Sequence, residues 1–306
     1  MKIIVIIVTY NGKRWYERCF GSLRQSTIPV DVMVIDNAST DGTVEWIKEH
    51  HPEVHLVQSP KNIGFGQANN IGMCYALENN YDYVFLLNQD AWLYNNDCIE
   101  RLVEVAEKPE YAHYYILSAL WLYGKGDRLT KGTPIQLAIK SERGNDFVSD
   151  LFFSHPLQEV YHTGYIGAAA WLLSRKTLQT IGGFDPLFFH RGEDDNYMQR
   201  VHYHGGKIGI CPQALVCHDI EERPIDYDME HENWQKNLLI DVSNVNDERT
   251  VQHWQRVYRV QALKQWMYFH WKAANNNWKT YRFLCYKARD IQYSRMRNTK
   301  LGAHWL

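Results

Sequence analysis

The chain predicts an α/β protein with a parallel, right-handed βαβ sheet, and three observations carry that prediction. Continuous Val/Ile-rich runs bounded by turn residues mark strands buried on both faces. They fall at Ile3–Val8, Val32–Ile35 and Tyr83–Leu87, with a weaker one at Val54–Gln58. Helical periods alternate with them, which is the pattern of crossover connections. The segments after the strands are polar, reading TYNG, DNASTDG and NQD, and in open α/β sheets ligands bind beyond the carboxyl ends of the strands.

Taken in order, Trp15–Gln25 puts Trp15, Cys19, Phe20 and Leu23 on one stripe and predicts a first helix. Thr43–His50 predicts a second behind an Asp-Gly turn, and Gln67–Asn79 a third behind a Gly-rich turn. Between Tyr111 and His155 the periodicity fades into Gly-, Lys- and Ser-containing segments, predicting an excursion over the site and a mobile acceptor loop. Gly164–Leu173 is small and apolar and predicts a buried strand. From Val251 the chain is helical in period and rich in Trp, Tyr, Arg and Lys, with Asp290 the only acid to the end. The sequence thus divides into residues 1–225 and a helical, aromatic and basic extension at 226–306.

With 306 residues, 45% hydrophobic and 22% charged, the chain can bury a sizeable core. A net charge of −2 and a pI near 6.7 give no general electrostatic case for nucleic acid as a partner. Met1-Lys2 runs straight into IIVIIVTY, too short for a secretory segment with its cleavage site, and no other run is apolar enough to span a bilayer. The reading is a cytosolic protein. The six cysteines are scattered and read as reduced thiols. Cys211, Cys217 and His218 can be imagined as zinc ligands, but no CxxC pair accompanies them.

Several constellations carry chemistry. Gly183–Arg200, GFDPLFFHRGEDDNYMQR, sets Glu193 beside Asp194 behind an aromatic run. Adjacent carboxylates at the edge of an apolar segment perturb each other's pKa, as a general base working near neutral pH requires; a solvated acidic turn is the plainer reading. Asp36 ends the second strand and Asp41 lies in the turn after it, where α/β folds hydrogen-bond a ribose or a base. The same stretch also reads as a turn with Asp41 capping a helix. The first turn lacks the G-x-G-x-x-G of dinucleotide folds. Asn62–Asn70, NIGFGQANN, is a glycine-containing turn opening a helix, where backbone N–H groups favour an anion and Asn69 and Asn70 face one ligand or cap the helix. Asp90 in Asn88-Gln89-Asp90 suits a hard divalent ion bridging a diphosphate.

Together these pieces resemble the family 2 glycosyltransferases, rhamnosyltransferase-like members included, whose N-terminal half reads strand-TYN, strand-DNxSxDGT, NxGFxxANN and a DxD-like triplet. The order and spacing match over roughly the first 220 residues. The resemblance implies a GT-A type α/β/α sandwich with a mostly parallel sheet, a nucleotide-sugar donor, a divalent metal (Mg2+ or Mn2+), and an inverting transfer to a hydroxyl of a glycan or lipid-linked acceptor in surface polysaccharide assembly. Residues 1–110 become the donor half and 160–220 the acceptor half. Carried over by position, Thr9, Tyr10, Asn11, Asp36 and Asp41 surround the base and ribose; Asn62, Gly64, Asn69 and Gln89 line the same pocket; Asp90 ligates the metal and His218 reaches the metal or diphosphate. The triplet is NQD rather than DxD, leaving one carboxylate. Where relatives often carry EDxD this chain has Glu193-Asp194-Asp195-Asn196, a departure that leaves two candidates for the base, Asp194 with Glu193 in reserve. Arg200 and the stretch Pro212–His218 continue the resemblance. Asp185 is placed to hydrogen-bond a sugar, and Trp171 with Phe188 or Phe189 to stack on one, or to belong to the core.

Two other functions share parts of this pattern. Nucleotidyl transfer wants a Gly-rich basic loop after the first strand, which is absent; a nucleotide-sugar or glycan binding module has no use for a paired acid. The C-terminal aromatics among Arg256, Arg259, Lys264, Lys272, Lys279 and Arg282 suit an anionic membrane surface, and equally a packing or homodimer interface.

Overall fold

The structure, a computed structural model, describes residues 1–130, 145–220 and 229–306. The Val/Ile runs form β1 (Ile3–Thr9), β2 (Asp31–Asp36), β3 (His55–Gln58) and β4 (Tyr83–Leu87). They alternate with α1 (Tyr16–Arg24), α2 (Thr43–His50) and α3 (Phe65–Glu78). β1 pairs in parallel with β2 and β4, and β2 with β3. Every residue of β1 is buried, and its side chains alternate between two cores. Ile4, Ile6 and Val8 join Met73 of α3 on one face of the sheet, while Ile3, Val5 and Ile7 join Phe20 of α1 on the other. Gly72 lets α3 seat closely, since a Cβ there would come within 2.7 Å of Ile6.

The second half of the sheet is mixed. It contributes β5 (Ala91–Leu93), β6 (Tyr114–Tyr123), β7 (Tyr161–His162), β8 (Ala170–Ser174) and β9 (Lys207–His218). Its helices are α4 (Cys98–Ala106), α5 (Asn145–Phe152), α6 (Arg175–Ile181) and α7 (Glu193–Tyr203). The strand order is β3-β2-β1-β4-β8-β6-β9-β5, with β7 on β9. β1 to β4, β6 and β9 share one direction, and β5, β7 and β8 run against it.

Two expectations need correction. Tyr114–Tyr123 is no excursion but a ten-residue strand inside the sheet, flanked by β8 and β9. Both its faces are covered, so its run YYILSALWLY lacks the alternation that marks a half-exposed strand. Part of the expected acceptor loop, residues 131–144, lies outside the described residues. The strand expected at Gly164–Leu173 begins only at Ala170, because a tight turn from Gly167 to Ala169 precedes it (N···O 2.9 Å).

β9 carries a bulge that positions the site. Ala119 of β6 faces Cys211, but Leu120 faces Leu215, so Pro212–Ala214 loop out. A bulge there suits Pro212, which has no N–H for the ladder. Past the bulge β9 also pairs with β5, where His218 lies opposite Ala91, one residue from Asp90.

The chain forms two compact units, Met1–Asp226 with Leu301–Leu306, and Tyr227–Lys300. The boundary expected at 225/226 lies outside the described residues. The returning segment, which the sequence placed in the extension, groups with the first unit: the Gly302 N–H donates to Thr180 O at 2.9 Å and the Gly183 N–H to His304 O at 2.8 Å. The second unit comprises α8 (Met229–Ser243), α9 (Val251–Met267) and α10 (Trp271–Asn298) around Leu238, Val242, Ala262, Leu284 and Ile291. The Gln255 Nε2 donor on α9 meets Leu284 O at 3.2 Å, and Trp266 meets Trp278 at 5.4 Å, so α9 and α10 form an antiparallel hairpin. Among the described residues no helix is long and apolar enough to cross a membrane. All six cysteines are free thiols.

Candidate active site

The ends of β1 and β2 are tied into one polar edge. The buried Thr9 hydroxyl donates to Asp36 Oδ1 at 3.0 Å, and the Ser39 N–H to Asp36 Oδ2 at 3.0 Å. Asn11, at a left-handed φ of 49°, accepts from the Thr40 N–H (2.8 Å), while its own N–H donates to the Ser39 hydroxyl (2.9 Å). Asp41 accepts from the N–H groups of Lys13 (3.2 Å) and Thr43 (3.1 Å) and from the Thr43 hydroxyl (2.5 Å). Slight burial opposes ionisation of its carboxyl, but these donors outweigh it and hold the pKa below the usual carboxylate value. Tyr10 is exposed, and Gln89 grips its backbone at both ends, accepting from the N–H (2.9 Å) and donating to the carbonyl (3.2 Å). Gln89 therefore braces this edge, and Gly12 leaves the room for it: a Cβ there would collide with Gln89.

The glycine turn has a use that the sequence did not reveal. Asn62 accepts from the Gly64 N–H at 2.9 Å, and Gly64 sits at φ 85° against the backbone carbonyl of Phe189, where a Cβ would collide. At Gly66 a Cβ would lie 2.8 Å from Phe184 and 3.5 Å from Glu193. The glycines thus seat the start of α3 against the Phe184–Glu193 loop. Asn69 is not brought to the strand ends; it is buried inside α3, its amide donating to Phe65 O at 3.0 Å. Asn37 was missed as a site residue. It is buried, accepts from the Ile63 N–H (3.2 Å) and donates to Gly64 O (3.2 Å), locking the end of β2 to the glycine turn.

Asp90 and His218 meet across the β5–β9 pairing, with His218 Nε2 3.4 Å from Asp90 Oδ1 and both side chains almost wholly buried. Burial pushes the imidazole pKa down to about 4, against the attraction of Asp219. The ring is therefore neutral at neutral pH, and among the described residues neither of its nitrogens makes a hydrogen bond. A carboxylate beside a neutral imidazole with lone pairs to give fits a divalent ion such as Mn2+ or Mg2+. No group of three or more His, Cys, Asp or Glu is positioned for a metal among the described residues.

The acids stand on a helix and not in the turn expected. Gly192, at φ 93°, ends the loop, and Glu193, Asp194 and Asp195 form the first turn of α7, where the helix dipole favours their negative charge. Glu193 is buried and Asp194 half-buried. Asp194 Oδ2 faces Gly167: a Cβ there would be 3.5 Å from that oxygen and 3.1 Å from the Trp121 ring. Trp121, at the end of β6, stands edge-on to His218 with centroids 5.2 Å apart. Asp90, His218, Trp121, Gly167 and Asp194 thus form one continuous wall. The Tyr165 hydroxyl is raised well above its ordinary pKa by burial and by the nearby Asp194, Asp195 and Glu193.

Behind this wall, four consecutive carbonyls are each held by a buried side chain. Arg200 donates to Ile181 O (2.7 Å) and Gly183 O (2.5 Å), Tyr197 to Gly182 O (3.0 Å), and Asn70 to Phe184 O (2.8 Å) while accepting from the Phe184 N–H (2.7 Å). Asp185, expected to hydrogen-bond a sugar, is buried and accepts from the Leu187 N–H at 2.9 Å, which helps to form the loop. Trp171 and Phe188 belong to the core, the other reading the sequence allowed; Trp171 packs on Phe184 and Tyr197, and of the three aromatics only Phe189 is exposed.

Comparisons with known proteins bear on this site. Residues 4–176 match the model of glycosyl transferase family 2. An undecaprenyl-phosphate mannosyltransferase of Micrococcus luteus is 33% identical over 93 residues, which are 29% of this chain and 38% of that protein's length. An N-acetylglucosaminyl-diphospho-decaprenol L-rhamnosyltransferase of Mycobacterium tuberculosis is 26% identical over 234 residues, 70% of this chain and 75% of that one. The fold resembles the mannosyltransferase PcManGT from Pyrobaculum calidifontis, solved with GDP-Man and Mn2+, at a TM-score of 0.54 and 20% identity over 84% of this chain and 64% of that one. The architecture is thus the GT-A type implied by the strand-end motifs. With more than half of its length matched by the family model, the chain belongs to glycosyl transferase family 2.

Proposed function

We propose that this glycosyltransferase moves a sugar from a nucleotide-sugar donor to a hydroxyl of a glycan or lipid-linked acceptor, with inversion, in assembly of a surface polysaccharide at the cytoplasmic face of the membrane. The observation that carries the reading is the wall from Asp90 to Asp194, which sets a candidate metal pair and a candidate base on the same edge beyond the strand ends. The named relatives and the GDP-Man and Mn2+ of the Pyrobaculum structure support the donor class, the lipid-linked acceptor and the metal.

Thr9, Asp36, Asn11 and Asp41 shape the edge that takes the nucleoside, with Tyr10, Asn62, Gly64 and Gln89 around it. Asn69 acts from inside α3, by holding the helix that carries the glycine turn. Asp90 and His218 would hold a divalent ion, which would supply positive charge to offset that of the departing diphosphate. Asp194 removes the acceptor hydroxyl proton as its oxygen bonds to the anomeric carbon. The pair of electrons of the breaking bond leaves with the nucleoside diphosphate on the opposite face. Glu193, more buried, is the reserve candidate for the base.

Replacing Asp194 by Asn tests the assignment. Loss of a general base lowers turnover by about 10²- to 10⁴-fold, while calorimetric titration should find donor binding retained. The donor itself is identified by titrating UDP, GDP and dTDP sugars with and without manganese. Unchanged turnover in Asp194→Asn removes Asp194 from the mechanism.

A further inference from the structure

The helical unit ends in a surface that the transfer chemistry does not use. The turn between α9 and α10 carries Tyr268 and Phe269, and the helix ends beside it carry Leu263, Met267 and Trp271, each of the five between 45% and 74% exposed. The hairpin does not need them, because Trp266 and Trp278 already join its two helices. Nor is the turn a loose end. Phe269 occupies a left-handed φ of 60°, uncommon for a bulky residue, and the His270 N–H donates to Gln265 O at 2.9 Å while its ring meets the Gln265 side chain at 2.8 Å. A closed turn thus presents large apolar side chains outward.

Charge complements this tip. Lys264 and Lys272 flank it and are exposed, and Lys279 and Arg282 follow on α10. From Val251 onward eleven Lys and Arg face the single acid Asp290, a net of +10 in a chain whose total is −2. Aromatic and apolar side chains ringed by lysines are the composition of an anchor at a bilayer interface, where the rings sit at headgroup depth and the cations meet anionic lipid. An interface with another protein recruits roughly 20 residues a side, more than one convex turn offers.

We propose that the α9–α10 turn is a membrane anchor: Met267, Tyr268, Phe269 and Trp271 enter the interface of an anionic bilayer, with Lys264 and Lys272 at its headgroups. The anchor takes its purpose from the lipid-linked acceptor reading above, but its binding is measured without turnover. The full chain is co-sedimented with vesicles of phosphatidylcholine containing phosphatidylglycerol, and with phosphatidylcholine alone. Uptake is expected on the anionic vesicles, much weaker on the neutral ones, and reduced by salt as the Debye length shrinks below about 10 Å. The double variant Phe269→Ser with Trp271→Ser should partition at least about tenfold less; its circular dichroism and donor binding should match the parent and so exclude misfolding. Lack of uptake by the parent on anionic vesicles, or equal uptake by the double variant, overturns the anchor. A parent dimer that the double variant converts to monomer, without vesicle uptake, assigns the turn to a second copy and also overturns it. Either failure alongside intact sugar transfer leaves the transferase reading standing, and vesicle uptake without sugar transfer does the reverse.

Discussion

His218 shows how burial selects a protonation state. Unfolded, its ring titrates near 6.5; folded, burial holds the pKa to about 4. Between those values the unfolded state binds a proton that the native state refuses, so stability is intact above pH 6.5 and falls as the pH drops. At pH 5 the loss is about 2 kcal/mol, and thermal melts from pH 7 to 5 should show it in the parent and lack it in His218→Asn. The same depressed pKa keeps the lone pairs available to a metal across the physiological range. At this scale the sequence was legible where a residue's position along the chain decides where the fold places it. Asp36, Asp90 and His218 each lie at a strand end, and the topology gathers such ends. Trp121, Asn37 and the grip of Asn70 on Phe184 were not legible, because each works through a partner from another part of the chain, Phe184 being 114 positions from Asn70.

Among the elements, α7 has two tasks on one rigid body. Its first turn holds Glu193 and Asp194, and further along Tyr197 and Arg200 grip the carbonyls of residues 181–183. Asn70 completes the set from α3. Asn70→Ala leaves the N–H and the carbonyl of Phe184 buried without their partner, and each such group costs about 1–3 kcal/mol. Denaturant melts should therefore show a loss of about 3 kcal/mol, with kcat falling more than donor affinity, because the damage lies on the acid-bearing side. An unchanged kcat would mean that the loop does not position the acids. Element by element, β1, β2 and β4 were legible from local runs of Val and Ile. β6 was not: the periodicity of Tyr114–Tyr123 is ambiguous without knowing that β8 and β9 flank it. Nor do Gly64 and Gly66 reveal in sequence that they admit the Phe184–Glu193 loop.

Across the whole molecule, charge is segregated. The pI of 6.7 and net charge of −2 describe no part of it, since eleven of its Lys and Arg crowd into the residues from Val251 onward with one acid. At pH 7.5 and low salt the protein should therefore be retained on a cation exchanger despite its net negative charge, and flow-through under those conditions would show that the basic helices are neutralised within the fold. The returning segment 301–306 has a consequence in time. Gly183 donates its N–H to His304, a residue made about 120 positions later, which at 5–20 residues per second is roughly ten seconds of synthesis. On the ribosome, the parallel half of the sheet can assemble while the stretch from Ile181 to Phe184 still lacks one of its backbone partners. The nascent chain therefore completes the polar edge at the ends of β1 and β2 first, and its acid-bearing side is fastened only once the helical unit has been made.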